Sequence, residues 1–590
     1  MLLRDKRHRQ DNTKERWGML MKNNRYLEAL VIGAVMSGVM GVSTPTGLAA
    51  PELPDVDRPT AGSSYTELRD KEEIRPSSRE VDIELPEEER PEFNAPDTLK
   101  VQANGFTVTG QDIFREDELL KLLEDKKGKL LTFKELQEGA DRLTKHFRDK
   151  GYLTARVYLP VQKITGGIVE YTVTVGRLGE IKIVNNTSIH DNVLKRESRA
   201  LKRGDYIRKE KLERAVWLMS DLAGADAKAT LSKGSEDGTV DLVVELNPHT
   251  GKQGSLTFDN YGNRYTGYKE AIFSYNLLNP FHEGDQLAIT ASTTGKGLFN
   301  GGANYSVPAL TDGLRVSGGY NVLRYELGKE YDSLGAYGTA HVVNFGFDYA
   351  VRRSQRNNLY IGLRYEGNEL DDVEKNSLLG HYADKHSDAA VLSIYGDEQD
   401  KYGVTSWRTE YKHGWLGFNN DMTRQIYERS GAFGTFKKLK LNIIRRQNLN
   451  NRLYALLSLR GQYAFDNLDS SEHISLGGIA GVRAYPQSEA SGDMGYLTRA
   501  ELRWMIPTGK QSQSFQTAIY FDHGGIWYER KNSHGENRRS LQGAGIGVIW
   551  SQRDEWFLRM DYAWRIGAEK ATSDTHFGRG HFWIQGGIFF

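Results

Sequence analysis

The stretch "WFLRMDYAWR", residues 556–565, alternates along its whole length. Trp556, Leu558, Met560, Tyr562 and Trp564 share one face of an extended chain; Phe557, Arg559, Asp561, Ala563 and Arg565 share the other. Large apolar groups on one side and charges on the other suit a strand with lipid outside and a polar lumen inside. One such strand would also fit a soluble sandwich, which buries its apolar face. Repetition separates the two readings. From about residue 252 to the end, helical periodicity is absent and two-residue alternation is broken only by polar, glycine-rich turns. Eight of the ten tryptophans lie there, the residues that favour membrane interfaces. A bilayer-spanning strand takes about 9–11 residues, and turns roughly double that, so the region predicts a barrel of about 16 antiparallel strands. The chain ends "HFWIQGGIFF", with Phe582, Ile584, Ile588 and Phe590 on one face. This last strand is expected to close the barrel and to be handed to an assembly machine.

Upstream the periodicity changes. "LKVQANGFTVTG" (99–110) reads as a strand and "REDELLKLLED" (115–125) as a short helix. Thr132 and Glu135 form a capping box opening a helix with Phe133, Leu136, Ala140, Leu143 and Phe147 on one face. Strands follow at 154–160 and 168–175. The same order recurs with a strand at 181–184, helices at 190–198 and 209–222, and strands at 227–232 and 239–246. Two small α+β units of βααββ plan are predicted, at 98–176 and 177–250.

Eight of the 14 prolines fall between Pro45 and Pro96. Residues 76–97 mix four of them with charges and read as a solvated linker. Before it, Ser64 and Glu67 have capping-box spacing and Pro76 is a stop, predicting a helix over 65–75, polar on all sides, within an N-terminal segment 51–75. Lys22 and Arg25 precede the apolar run "ALVIGAVMSGVMGV" (29–42), too short to span a bilayer and followed by small residues. Residues 1–50 are therefore expected to be an extension plus signal peptide cut after Ala49 or Ala50, with Met21 an alternative start.

Lys+Arg and Asp+Glu are 78 each, which gives nucleic-acid binding no support, and there is no cysteine for a thiolate site. No nucleophile elbow, zincin or phosphate-loop motif occurs, and the 14 histidines show no metal-ligand spacing, so no enzyme, cofactor or metal centre is expected. "GAGIG" (543–547) lacks dinucleotide-loop spacing; its small residues are read as letting the barrel bend or a loop approach.

One loop stands out. "GGIAGVRAYPQ" (477–487) is small and apolar apart from Arg483. In "FQTAIYFDHG" (515–524), Phe515, Thr517, Ile519 and Phe521 take the lipid face, so Tyr520, Asp522 and Gly524 face the lumen. If the loop 477–495 folds back into the barrel, with Gly477, Gly478 and Gly481 allowing the reversal, Arg483 reaches Asp522 as a bidentate pair. The alternative leaves Arg483 in water and Asp522 paired with Arg499 or Arg503, also inward. A wet lumen would make the pair worth only about 1 kcal/mol.

These residues resemble a known family. The chain is similar to the outer-membrane transporters of two-partner secretion (TpsB, the haemolysin secretion/activation proteins), relatives of BamA-type assembly barrels. "GYLTARVYLPVQKITGGIVEYTV" (151–173) resembles the end of the family's first POTRA domain, and "FDNYGNRYTG" with "NPFHEGDQL" its barrel entry. Gly481, Val482, Arg483, Ala484 and Tyr485 resemble the lid-loop motif Val-Arg-Gly-Tyr, with Ala484 in place of glycine. Tyr520, Asp522 and Gly524 resemble the Phe-x-Asp-x-Gly wall motif, with Tyr520 in place of phenylalanine. The resemblance implies a 16-stranded barrel in a Gram-negative-type outer membrane, two periplasmic POTRA domains and a plug helix in the lumen. It implies secretion of one large cognate exoprotein, of adhesin or haemolysin type, without nucleotide. Outer-membrane lipid and the barrel assembly machinery are the other implied partners. An assembly or insertion factor and a passive porin are the alternatives; a porin needs no POTRA repeats.

Overall fold

The computed structural model describes residues 59–70, 83–84 and 100–590, apart from 377–379, 511, 532–535 and 575. The expected signal peptide lies outside the described residues.

Helix α1 (Ala61–Asp70) starts four residues before the expected 65–75, whose last five residues lie outside the described ones. Its cap is Thr60, not Ser64: the Ser63 amide donates to Thr60 Oγ1 (2.7 Å), while the Ser64 amide already makes a helical bond to the Thr60 carbonyl (2.7 Å). Nor is the helix polar all round. Ala61, Tyr65 and Leu68, at helical spacing, pack on Tyr265 of the loop 260–269 and on Leu298, Leu323 and Tyr325, which lie on inner faces of the barrel. The linker is also not wholly solvated: strand β1 (Ile83–Glu84) pairs in parallel with Ala229 and Thr230.

The first βααββ unit contains β2 (Lys100–Ala103), β3 (Gly105–Thr109), α2 (Glu116–Lys121), β4 (Lys129–Thr132), α3 (Phe133–Asp149), β5 (Arg156–Tyr158) and β6 (Ile168–Thr174). The expected strand 99–110 is broken at Asn104, whose amide leaves the ladder for the Gly167 carbonyl (2.8 Å); β2 then pairs with β4 while β3 pairs with β6. The Thr132–Glu135 capping box is formed in both directions (3.2 and 2.7 Å). Leu136, Ala140, Leu143 and Phe147 then face the core with Phe106 and Tyr171. The second unit contains β7 (Arg177–Asn185), α4 (Asp191–Glu197), α5 (Lys209–Ser220), β8 (Ala225–Lys233) and β9 (Thr239–Pro248), with sheet order β1-β8-β9-β7.

From Gly254 the chain forms a closed barrel of 16 antiparallel strands, as the alternation requires. In order they are β10 (Gly254–Asp259), β11 (Glu270–Leu278), β12 (Gln286–Thr293), β13 (Leu298–Pro308), β14 (Leu314–Glu326), β15 (Ala336–Arg352), β16 (Asn357–Glu374) and β17 (Gly380–Asp400). There follow β18 (Gly403–Phe418), helix α6 (Asp421–Ser430), whose Tyr427 accepts from Lys385 (3.0 Å), β19 (Gly434–Asn448) and β20 (Leu453–Ala464). A short hairpin, β21 (Ile474–Leu476) and β22 (Ala490–Gly492), leaves the wall. The wall resumes with β23 (Met494–Ile506), β24 (Gln513–Trp527), β25 (Arg538–Gln552), β26 (Trp556–Arg565) and β27 (Gly580–Phe589). Closure pairs Ser255 with Phe589 through Asp259 with Gln585. Phe345, Leu363, Trp504, Ile519, Tyr562 and Ile588 are exposed on the outer face, where lipid meets them.

The second unit is bolted to the turns at the barrel mouth. Asp312 receives Arg199 (2.7 Å) and Arg214 (2.9 Å); Arg353 forks onto Asp221 (2.6 and 2.7 Å) and lies 4.4 Å over the Trp217 ring. Glu197 accepts the Gly313 amide (2.8 Å). Bidentate and charge-assisted bonds fix orientation as well as contact.

Candidate functional site

Between β20 and β23 the chain leaves the wall over residues 465–493 and turns inward, an excursion that begins 12 residues before the expected loop. Hairpin β21–β22 carries its tip. Gly477 (φ 95°) and Gly478 (φ 76°) take left-handed backbone that other residues adopt only with strain, and there the chain reverses. Ile474, Leu476, Val482, Ala484 and Tyr485 pack with Leu497, Tyr520, Ile526 and Leu541 of the inner wall.

Arg483 is fully buried at the tip (0 % exposed). Its Nε and Nη2 donate to the two Asp522 oxygens (2.8 and 2.7 Å). Its Nη1 donates to Glu501 (2.6 Å) and lies 3.5 Å from Asp561. The guanidinium stacks 3.3 Å from the Tyr520 ring centre. Its own amide donates to Asp522 (3.2 Å), and its carbonyl accepts Trp583 Nε1 (2.7 Å). The structure thus brings Arg483, Tyr520 and Asp522 together on three sides of one guanidinium.

The alternative of a solvated Arg483 is overturned, and of the two arginines it named for Asp522 only Arg499 approaches that carboxylate, while Arg503 turns to Glu501. Arg499 Nε lies 3.6 Å from Asp522, Arg503 forms a 2.6 Å bridge to Glu501, and Arg559 donates to Asp561 (2.7 Å). Four guanidiniums share three carboxylates. The expectation of a wet pair is corrected: Asp522 is 1 % exposed, because the hairpin, Tyr520, Tyr485 and Trp583 close over it. Desolvated partners are strongly interdependent, so this is an anchor that fails when one member is removed.

Glu501, Asp561, Arg559 and Trp583 were not singled out from sequence. Arg559 and Asp561 were in view as the charged face of 556–565, and Glu501 lies between two arginines already assigned to the lumen. Alternation gave their side of the wall but not their partner.

The departures from the motif have physical readings. Ala484 is not among the residues with left-handed backbone, so this position needs smallness rather than glycine's dihedral freedom. A Cβ on Gly543 would overlap the Ala484 methyl, and one on Gly545 would overlap the Tyr520 ring. One on Gly547 would stand 2.8 Å from Asp561. The "GAGIG" strand is therefore the recess into which the tip fits. Gly524 likewise makes room for Leu476 (2.9 Å from a built Cβ), and Gly481 for the Gly477 carbonyl. The Tyr520 hydroxyl has no hydrogen-bond partner among the described residues, and it is the ring that meets the guanidinium. Tyr485 reaches out to the Glu569 carbonyl (3.2 Å).

The near side of the excursion is tied to the strands that precede β20 in the wall. Asp469 meets Lys385 of β17 (2.6 Å); Glu472 meets Lys412 of β18 (2.7 Å) and Lys438 of β19 (2.6 Å). The far side is tied by Glu489, which accepts Arg539 (2.6 Å) and the Thr572 amide (2.6 Å). The excursion is therefore held inside the barrel along the arc from β17 to β25. Helix α1 lies on it: Thr66 Oγ1 donates to the Ser471 carbonyl (2.7 Å), Thr60 and Ser470 hydroxyls meet at 2.9 Å, and Ser488 donates to Glu67 (2.8 Å).

Comparison with known proteins places this architecture. The family described as haemolysin secretion/activation protein ShlB/FhaC/HecB matches residues 238–549. A ShlB-type POTRA domain matches 101–176, and a POTRA family described as surface antigen variable number repeat matches 176–249. The heme/hemopexin transporter protein HuxB of Haemophilus influenzae strain 86-028NP is 25% identical, over 80% of this chain and 83% of its own. The outer membrane transporter CdiB of Dickeya dadantii strain 3937 is 25% identical, over 68% and 72%. The solved structure of CdiB from Escherichia coli matches with a TM-score of 0.69 at 18% identity, covering 85% of this chain and 92% of that one. That of CdiB from Acinetobacter baumannii gives 0.59 at 18%, covering 89% and 96%.

Proposed function

The chain belongs to the haemolysin secretion/activation family of outer-membrane transporters, with POTRA domains in the periplasm, and from that premise we propose that it exports one large cognate exoprotein. In this reading the POTRA domains capture the unfolded partner, and the partner crosses the barrel and folds outside. The periplasm offers no nucleotide, so folding of the emerging chain supplies the drive.

The observation that carries the reading is an open sheet edge flanked by exposed apolar residues in the first POTRA domain. Its three-stranded sheet runs β3-β6-β5, which leaves β5 unpaired on one side among the described residues. Beside that edge Tyr158 and Ile168 are exposed and Val161 is fully so. An extended segment adding to such an edge gains main-chain bonds from the strand and side-chain burial from its flank. The second domain's β8 edge is already taken by β1.

The test is Val161→Asp in the full-length protein. Export of the partner into the medium and its binding to the variant should both fall about tenfold, because a charge replaces an apolar contact worth roughly 1.4 kcal/mol or more. Undiminished binding would move recognition elsewhere. If purified protein in vesicles instead speeds insertion of unrelated barrels, the assembly-factor reading takes over.

A further inference from the structure

The lumen has two unlike walls, and only one of them holds the excursion. From β16 round to β26 the inner face carries the ion pairs described above, from Glu366–Lys412 to Arg559–Asp561. On β10 to β15 the inward positions are different. Strand registers align Ser274, Thr290, Asn304, Asn321 and Asn344 with glycines on one face, while Phe273, Ile289, Tyr320 and Phe345 are exposed on the other. Ionised groups on this wall sit only at its ends, Asp259 and Glu270 at one and Arg315 and Asp348 at the other.

In the middle of the wall the polar contacts among the described residues stay on the wall itself. Among the described residues, Asn304 donates to Asn344 (3.4 Å) and Gln286 to Asn276 (2.7 Å), all on the same wall. Ser292 Oγ, Asn300 Oδ1 and Asn321 Oδ1 are enclosed and have no hydrogen-bond partner among the described residues. Helix α1 covers only the far end, at Leu298, Leu323 and Tyr325.

We propose that the uncharged wall on β10–β15 is the track along which the exported chain slides. This rests on the transport reading above. The chemistry fits an extended, unfolded polypeptide of mixed sequence. Its backbone amides exchange water for Asn, Ser and Thr partners at little net gain or cost, since a neutral hydrogen bond contributes only about 0.5–1.5 kcal/mol. The large apolar groups on this wall are few, gathered at the end under helix α1 with Ile272 and Val342 further in, and no fixed charge in its middle traps opposite ones. Conduction needs binding weak enough at each site to leave again. The opposite wall has the reverse character: its charges are committed to the excursion or to one another, and a chain passing over them would have to compete with those pairs.

The native chain has no cysteine, so single thiols report position cleanly. Cysteines replace Asn304, Asn321 and Asn344 on the uncharged wall, and Asn442 and Ser458 on the charged one, in the full-length transporter. The probe is the exoprotein that disappears from the medium when the transporter is deleted, stalled in transit by a folded domain fused to its C-terminus and carrying one cysteine in the stalled segment. A disulfide needs Cα atoms within about 7 Å, so the first three sites should trap the probe about tenfold more than the last two. Equal trapping on both walls, or trapping on the charged wall alone, overturns the track while leaving transport intact. If deletion removes no protein from the medium, the transport reading falls and the track with it.

Discussion

Arg483 faces three carboxylates, and that number governs how its variants behave. Arg483→Ala leaves Asp522 and Glu501 buried with less compensation, and Asp522→Ala leaves the guanidinium short of its fork. Each should weaken the anchor by about 3–5 kcal/mol, the cost of breaking a dry pair. Export should fall while the barrel still shifts with heating on a gel. Exchanging the two, Arg483→Asp with Asp522→Arg, should not restore export. The new aspartate would face Glu501 and Asp561, and the new arginine would crowd Arg499. A double-mutant cycle showing near-complete recovery would mean that Asp522 alone holds the loop. Shape can be tested apart from charge. Gly543→Ala should overpack the recess at a cost of about 1–3 kcal/mol, and adding Ala484→Gly should return the space and most of the lost export. No rescue by the second change would place the effect of Gly543 in its own strand.

At the scale of elements, α1 and the excursion are in contact because one residue of the helix is glycine. A Cβ at Gly62 would overlap Ser471. Gly62→Val should lift the helix off the 3₁₀ turn Ser470–Glu472 and raise single-channel conductance in planar bilayers. Unchanged conductance would mean that α1 does not limit the pore. The second POTRA domain is tied to the barrel through Asp312. Burial pushes that carboxyl up, but its bonds to Arg214 and Arg199 outweigh burial and hold it below the ordinary carboxylate value. A depressed carboxylate stabilises fully above its unperturbed value near 4 and loses that contribution as pH falls through the lower, docked value. Docking should therefore be constant from pH 7 to about 4 and loosen below. Asp312→Asn should cost about 1.5–3 kcal/mol at neutral pH, read as faster amide exchange in α4 and α5. Exchange unchanged in those helices would show that Arg353–Asp221 carries the joint alone.

For the whole molecule, the barrel exists only once its ends meet. Phe590 exchanges both main-chain bonds with Gly254 (2.9 and 3.0 Å), so deleting it should lower the amount of heat-modifiable barrel in the membrane. Normal accumulation would show that β27 closes without its last residue. Much of this architecture is visible in the sequence because it is periodic and local. Two-residue alternation with lipid-type aromatics gives strands and their outward faces, and the Thr132–Glu135 cap and helical spacing give the POTRA helices. The break at Asn104, the apolar face of α1 and the pairing of β1 with β8 were not visible, because each depends on a partner distant in sequence: Gly167, the inner wall and Ala229. The same holds at the site. Alternation assigned Asp522, Arg499 and Arg503 to the lumen, yet Arg483 meets Glu501, Asp561 and Trp583 only because a closed barrel brings 18, 78 and 100 residues of separation to bonding distance. The dryness of that cluster is likewise tertiary. Periodicity can say which side of a wall a residue faces; only the closure of the wall and the inward fold of the excursion decide what stands opposite it and whether water remains between.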